Sequence, residues 1–89
     1  MIKQPVTIIN KLGLHARAAS KLVNLCSQHS SDVFLDKNGN RVNAKSIMGV
    51  MMLAASKGTE LVLEVDGDDE SECLQAIVEL IHNRFDEDE

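Results

Sequence analysis

Aromatic side chains are nearly missing from this chain, which has no Trp, no Tyr and two Phe among 89 residues. A core must therefore be aliphatic, drawn from the Ile, Leu, Val, Met and Ala that dominate a hydrophobic content of 44%. Two cysteines, Cys26 and Cys73, are too few and too far apart for a disulfide framework or a zinc site. They read as buried, reduced thiols, and a metal-chaperone role, which needs a Cys-x-x-Cys pair, is set aside. No apolar run approaches the ~20 residues needed to span a bilayer. The start, Met1-Ile2-Lys3-Gln4-Pro5, lacks the apolar segment and small-residue cleavage site of a secretory signal, so a cytoplasmic location without membrane insertion is expected.

Acids are missing from two long segments. Residues 1–31 hold Lys3, Lys11, Arg17 and Lys21 and no Asp or Glu; residues 37–59 hold Lys37, Arg41, Lys45 and Lys57, again without an acid. The acids crowd into residues 60–89, where Arg84 is the only Lys or Arg. The net charge of -5 argues against a nucleic-acid binder. A fold that joins the two acid-free segments would nevertheless make one basic face, suited to an acidic protein surface.

The chain is short enough for one domain. Ile2, Val6 and Ile8 alternate with Lys3, Pro5 and Thr7, predicting a half-buried strand with Pro5 at its start or edge. From Ala16 the spacing turns helical, with Ala19, Leu22, Val23 and Cys26 on one stripe widened by Ala18 and Leu25, and a polar exit over residues 28–31. Val33 and Leu35 mark a second strand, Asn38-Gly39 a hairpin turn, and Arg41 to Asn43 a third strand. Ser46 is a suitable N-cap for a short helix over the following Ile47-Met48-Gly49-Val50-Met51-Met52. Leu61, Leu63 and Val65 give a fourth strand, Asp69 and Glu72 resemble a capping box, and Leu74, Ile77, Val78, Ile81 and Phe85 a final helical stripe. Residues 86–89 are all acidic and are expected to be a disordered tail beyond a domain of residues 1–85. The order is β-α-β-β-α-β-α, and the alternating strands favour an antiparallel sheet with helices on one face, a two-layer α+β sandwich.

The chemistry concentrates in Gly13-Leu14-His15-Ala16-Arg17-Ala18-Ala19. A strand ends, a glycine permits a sharp turn, and a histidine stands where a helix begins. Backbone N–H groups at that point lack intrahelical partners and can hold an anion. A phosphoryl group on the ring would gain bonds from Arg17 and from the amides of Ala16 and Arg17. Imidazole nitrogen both attacks phosphorus and leaves it readily, which suits reversible transfer. No nucleotide-binding loop is present, so partners must complete each active site. His29 and His82, in a polar exit and near a helix end, read as surface or structural residues.

These residues carry a resemblance. The Gly13 to Ala19 run, the run Asn43-Ala44-Lys45-Ser46-Ile47-Met48-Gly49-Val50-Met51 and the element order are similar to HPr, the histidine phosphocarrier of the phosphoenolpyruvate-dependent phosphotransferase system. The resemblance implies an open-faced β-sandwich of a four-stranded antiparallel sheet and three helices. It implies a carrier rather than an enzyme, without cofactor or metal and monomeric. His15 would be phosphorylated at Nδ1 by enzyme I and would pass the group to enzyme IIA domains, with Arg17 neutralising it. Ser46 would match the serine modified by HPr kinase/phosphorylase. From the charge map, Lys45 with the apolar Ile47, Met48 and Met51 is expected to form part of a docking face beside His15. Many members have proline where Ala18 stands, which loosens the helix start slightly but removes no donor. A nitrogen-related branch of the same system is an alternative within the resemblance, and a small ligand-binding regulatory domain is one outside it.

Overall fold

A computed structural model describes residues 1–89, and its elements follow the alternation in the sequence closely. Strands β1 (Ile2–Thr7), β2 (Asp32–Lys37), β3 (Asn40–Asn43) and β4 (Glu60–Asp66) form one sheet, joined by helices α1 (Ala16–Ser27), α2 (Ile47–Met52) and α3 (Glu70–His82). The sheet order is β1-β4-β2-β3, and every neighbouring pair is antiparallel. Val33, Leu35, Leu61, Leu63 and Val65 point from one sheet face into a single core with Leu22, Cys26, Ile77 and Ile81 from α1 and α3. The other sheet face carries Phe34, Arg41 and Glu64: Arg41 stacks 3.6 Å from the Phe34 ring centroid and its Nε donates to the Glu64 carboxylate at 3.3 Å. The result is the expected open-faced α+β sandwich.

The hairpin between β2 and β3 takes positive φ at Asn38 (52°) and Gly39 (88°), the pair of left-handed residues an Asn-Gly turn supplies. Ser46 caps α2 by accepting the Gly49 N–H at 3.2 Å. Cys26 and Cys73 are both free and buried, and burial pushes the Cys26 thiol up to about 12.

Three expectations are corrected. Asp69 precedes α3 but makes no side-chain capping bond. Its carboxylate instead accepts from the Ser31 hydroxyl, the Ser30 and Ser31 amides (3.1 and 3.0 Å) and His29 Nδ1 (3.2 Å), tying α3 to the end of α1. The stripe that runs on to Phe85 is not one helix. α3 stops at His82, and Arg84, Phe85 and Asp86 all take left-handed φ (55°, 54° and 63°), a reversal that turns Phe85 into full burial. Residues 86–89 do not hang free, as described below.

The Asp69 cluster makes a testable pH dependence. The Ser31 hydroxyl first, then the Ser30 and Ser31 amides and His29, hold this carboxyl well below the ordinary aspartate value of 3.8. A depressed folded value means the folded state binds the proton less readily than the unfolded chain. The resulting stability is complete above the ordinary value and is lost as pH falls through the folded one. Asp69→Asn is therefore expected to be less stable at neutral pH and to show a flatter stability profile below about pH 4. Urea denaturation of both proteins from pH 7 to pH 2 checks this.

Candidate functional site

The site is built where β1 hands the chain to α1. The Gly58 N–H donates to Ile8 O at 2.7 Å, and the Leu14 N–H to Ala55 O at 2.8 Å, so the loop after β1 is pinned against the loops before β4. Gly13 lies between these anchors with φ of 67°, and a Cβ there would collide with Ala55 O and the Ser56 Cα. Asn10, fully buried, donates from Nδ2 to Gly13 O at 2.8 Å and braces the same turn. His15 follows as the N-cap of α1, with extended backbone (φ -73°, ψ 177°) and no side-chain capping bond. Its carbonyl accepts the Ala19 N–H at 2.8 Å, so the amides of Ala16, Arg17 and Ala18 lie ahead of the first intrahelical bond. The imidazole thus stands at the donor-rich end of the helix with 28% side-chain exposure.

Arg17 is exposed on the first turn and makes no ion pair, leaving its guanidinium free for an anion. His15, Ala16 and Arg17 line one open cleft with Lys11, Leu12 and Lys21. The far wall of that cleft is the C-terminal segment, Asp86 to Glu89. Its placement departs from the expected loose tail because the cations of α1 and its entry loop attract it. Lys21 Nζ donates to Phe85 O at 2.9 Å and lies 3.5 Å from the Asp86 carboxylate. The Lys11 amide donates to Glu89 O at 2.7 Å, and its ammonium is 3.3 Å from the Glu89 carboxylate. Between them Glu87 reaches inward: Oε1 accepts from Asn10 Nδ2 at 2.9 Å and Oε2 bonds His15 Nε2. The Asn10 bond, with help from His15, holds the Glu87 carboxyl below its ordinary value, so it is ionised at neutral pH.

The second motif is brought only partly into this site. α2 packs beside α1, and the loop that follows it, through Ala55, touches the Gly13 turn. The C-terminal end of α2 therefore lies toward His15, while Ser46 caps the opposite end. Lys45 points away, its ammonium donating to His29 O at 3.0 Å just beyond the C-terminus of α1. A 12-residue helix separates that end from His15, about 18 Å at 1.5 Å per residue. Ile47, Met48 and Met51 are exposed, and Met52 (74%) and Leu12 (67%) more so than Ile47 and Met51. Sequence reading missed Leu12 and Met52, and also Asn10 and Glu87. Met48 and Met52 stand four apart on a short helix, a spacing that could have shown the pair; nothing local to Glu87 reveals its partner.

No group of three or more His, Cys, Asp or Glu side chains is placed to hold a metal ion, and no helix is long and apolar enough to cross a membrane.

Residues 2–83 match the family described as the PTS HPr component phosphorylation site. The chain is 56% identical over 89 residues to the phosphocarrier protein HPr of Neisseria meningitidis, covering 100% of both chains. It is 56% identical over 85 residues to that of Pseudomonas aeruginosa, covering 94% of each. A crystal structure of HPr from Thermoanaerobacter tengcongensis superposes with a TM-score of 0.96 at 44% identity, covering 100% of both chains. With its fold and its whole length matched in these relatives, the chain belongs to the HPr family of phosphotransferase-system phosphocarriers.

Proposed function

We propose that this protein accepts a phosphoryl group on His15 Nδ1 from phosphorylated enzyme I and donates it to enzyme IIA domains, acting as a carrier with no cofactor of its own. The observation that carries this reading is the pairing of an uncapped, partly exposed imidazole with three free helix amides and an unpaired Arg17. The Nδ1 lone pair forms the nitrogen–phosphorus bond while the donor's bond to phosphorus breaks and its electrons return to the donor. The amides of Ala16 and Arg17 and the Arg17 guanidinium then meet the phosphoryl oxygens. The helix dipole adds ~0.3–1 kcal/mol for an anion at such an end. Leu12, Ile47, Met48, Met51 and Met52 offer the apolar docking surface, and methionines adapt readily to several partners. Lys45 contributes to the electrostatic surround of Ser46 rather than to contacts at His15.

Incubation with phosphoenolpyruvate and enzyme I tests the reading. Intact-mass spectrometry should show one added phosphoryl group, labile in acid and stable in base, on the peptide that contains His15. No added mass, or mass on a hydroxyl residue alone, overturns it.

Ser46 is the proposed regulatory site, modified by an HPr kinase/phosphorylase. Its hydroxyl is exposed at the N-cap of α2, so a phosphate there adds about -1.5 to -2 charge units to the docking surface without reaching His15. Ser46→Asp retains a good N-cap residue, so the helix stays capped. Its rate of phosphoryl acceptance from enzyme I is expected to fall roughly tenfold at low salt, with the deficit shrinking as salt screens the repulsion. Stopped-flow transfer kinetics across a salt series measure it, and a wild-type rate at low salt would refute the electrostatic role.

A further inference from the structure

The carboxylate of Glu87 is the feature that phosphoryl acceptance alone does not explain. It is held at both oxygens, by Asn10 Nδ2 on one and by His15 Nε2 on the other, and its side chain is only 16% exposed. Its position is set from both directions along the chain: Phe85 is buried in the core two residues earlier, and the Lys11 amide binds Glu89 O two residues later. An ionised carboxylate can only accept hydrogen bonds, so His15 Nε2 must carry the proton. In the neutral ring that leaves Nδ1 as the nitrogen with the free lone pair, and Nδ1 has no hydrogen-bond partner in the structure.

We propose that Glu87 is a positioning residue for phosphoryl transfer through His15: it accepts the Nε2–H, fixes that tautomer, and balances the positive charge the ring gains when Nδ1 bonds phosphorus. The inference rests on the reading of His15 as phosphoryl acceptor. In the step itself the Nδ1 lone pair forms the bond to phosphorus, and the donor's nitrogen–phosphorus bond breaks with its electron pair returning to the donor. The proton stays on Nε2 throughout, shared with the Glu87 carboxylate. On donation the same events run in reverse. A carboxylate behind a histidine serves this orienting and charge-balancing purpose in hydrolytic triads and behind metal-bound imidazoles. Here the partly open site makes the effect smaller than in a buried triad.

Two measurements on the full chain test it. In the unphosphorylated protein, without any partner, nitrogen-15 NMR should show His15 with a protonated Nε2 whose proton exchanges slowly with water. Glu87→Ala is expected to lose the slow exchange, whereas Glu87→Gln, whose side-chain oxygen still accepts, should retain it in part. Both variants are expected to accept phosphoryl from enzyme I on the order of tenfold more slowly than wild type, since neither carries the charge. Asp68→Asn removes an equal charge from an exposed side chain that bonds nothing and lies outside the cleft, and should leave both readings unchanged. Wild-type rates in both Glu87 variants, a faster rate in Glu87→Ala, or an Nε2 proton equally protected without the carboxylate would each overturn the inference. Failure of the wild-type protein to take up phosphate would instead overturn the reading of His15, while the NMR result would still decide whether Glu87 sets the tautomer.

Discussion

His15→Ala is expected to lose all acid-labile phosphate after incubation with phosphoenolpyruvate and enzyme I, while His29→Ala and His82→Ala incorporate it as wild type does. The three histidines are separated by surroundings rather than by chemistry. His29 is engaged by Asp69 behind the end of α1, and His82 is exposed at the last turn of α3 with no bonded partner. Only His15 stands before a row of unpaired amides with a free guanidinium on the first helical turn. The substitution should leave folding almost untouched, because His15 makes no capping bond and the backbone of the loop is held by Asn10, Gly13 and Ala55. A change in unfolding free energy of about 1 kcal/mol or less is expected, the cost of the side-chain bond to Glu87 with no capping bond lost. A variant that lost phosphate because it had lost its fold would fail this urea-denaturation control. Label persisting in His15→Ala would move the acceptor elsewhere.

Phe85→Ala should have the largest effect on stability, about 3–5 kcal/mol, the range for emptying a fully buried phenylalanine site. Phe85 is completely buried, and the only other phenylalanine, Phe34, lies on the open sheet face. The left-handed backbone at residues 84–86 is unfavourable for side chains other than glycine, and Phe85 burial is what holds the chain in it. Removal of the ring should therefore also release the segment that follows, with Glu87 leaving His15. Urea denaturation gives the stability, and hydrogen exchange or proteolysis at residues 86–89 gives the release. Phe85→Leu should recover more than half of the lost stability, since most of the apolar volume returns. A loss below about 1 kcal/mol would mean that the reversal is held by other bonds, and Lys21 to Phe85 O is the first to consider.

How much of this molecule was legible in its sequence follows the range of the forces involved. Strand alternation placed Val33, Leu35, Leu61, Leu63 and Val65 on one face, and all five are buried there. Local backbone chemistry placed the Asn38-Gly39 turn and the Ser46 cap, both as expected. His15 could be placed at a helix start because Gly13 and the change of period at Ala16 are neighbours in sequence. What the sequence concealed depends on partners far along the chain. Asp69 had the spacing of a local capping box, but the Ser30 and Ser31 amides and the Ser31 hydroxyl, 38 and 39 residues away, compete for its oxygens and win. Phe85 continues the period of α3 by number alone, and periodicity cannot reveal that the helix has already ended. The acid run at the C-terminus carries no apolar pattern; its position follows from Lys11, Lys21, Asn10 and His15, which only the fold assembles. Lys45 sits beside Ser46 in sequence yet reaches toward the His29 carbonyl beyond the end of α1, a contact only the fold supplies.

The most direct measurement follows the phosphoryl group onward. The protein is phosphorylated with radiolabelled phosphoenolpyruvate and enzyme I, separated from enzyme I, and then mixed with an enzyme IIA domain. The expected result is that label leaves His15 and appears on the IIA domain in proportion to carrier added. Label that stays on the carrier, or appears only as inorganic phosphate, would contradict the carrier role.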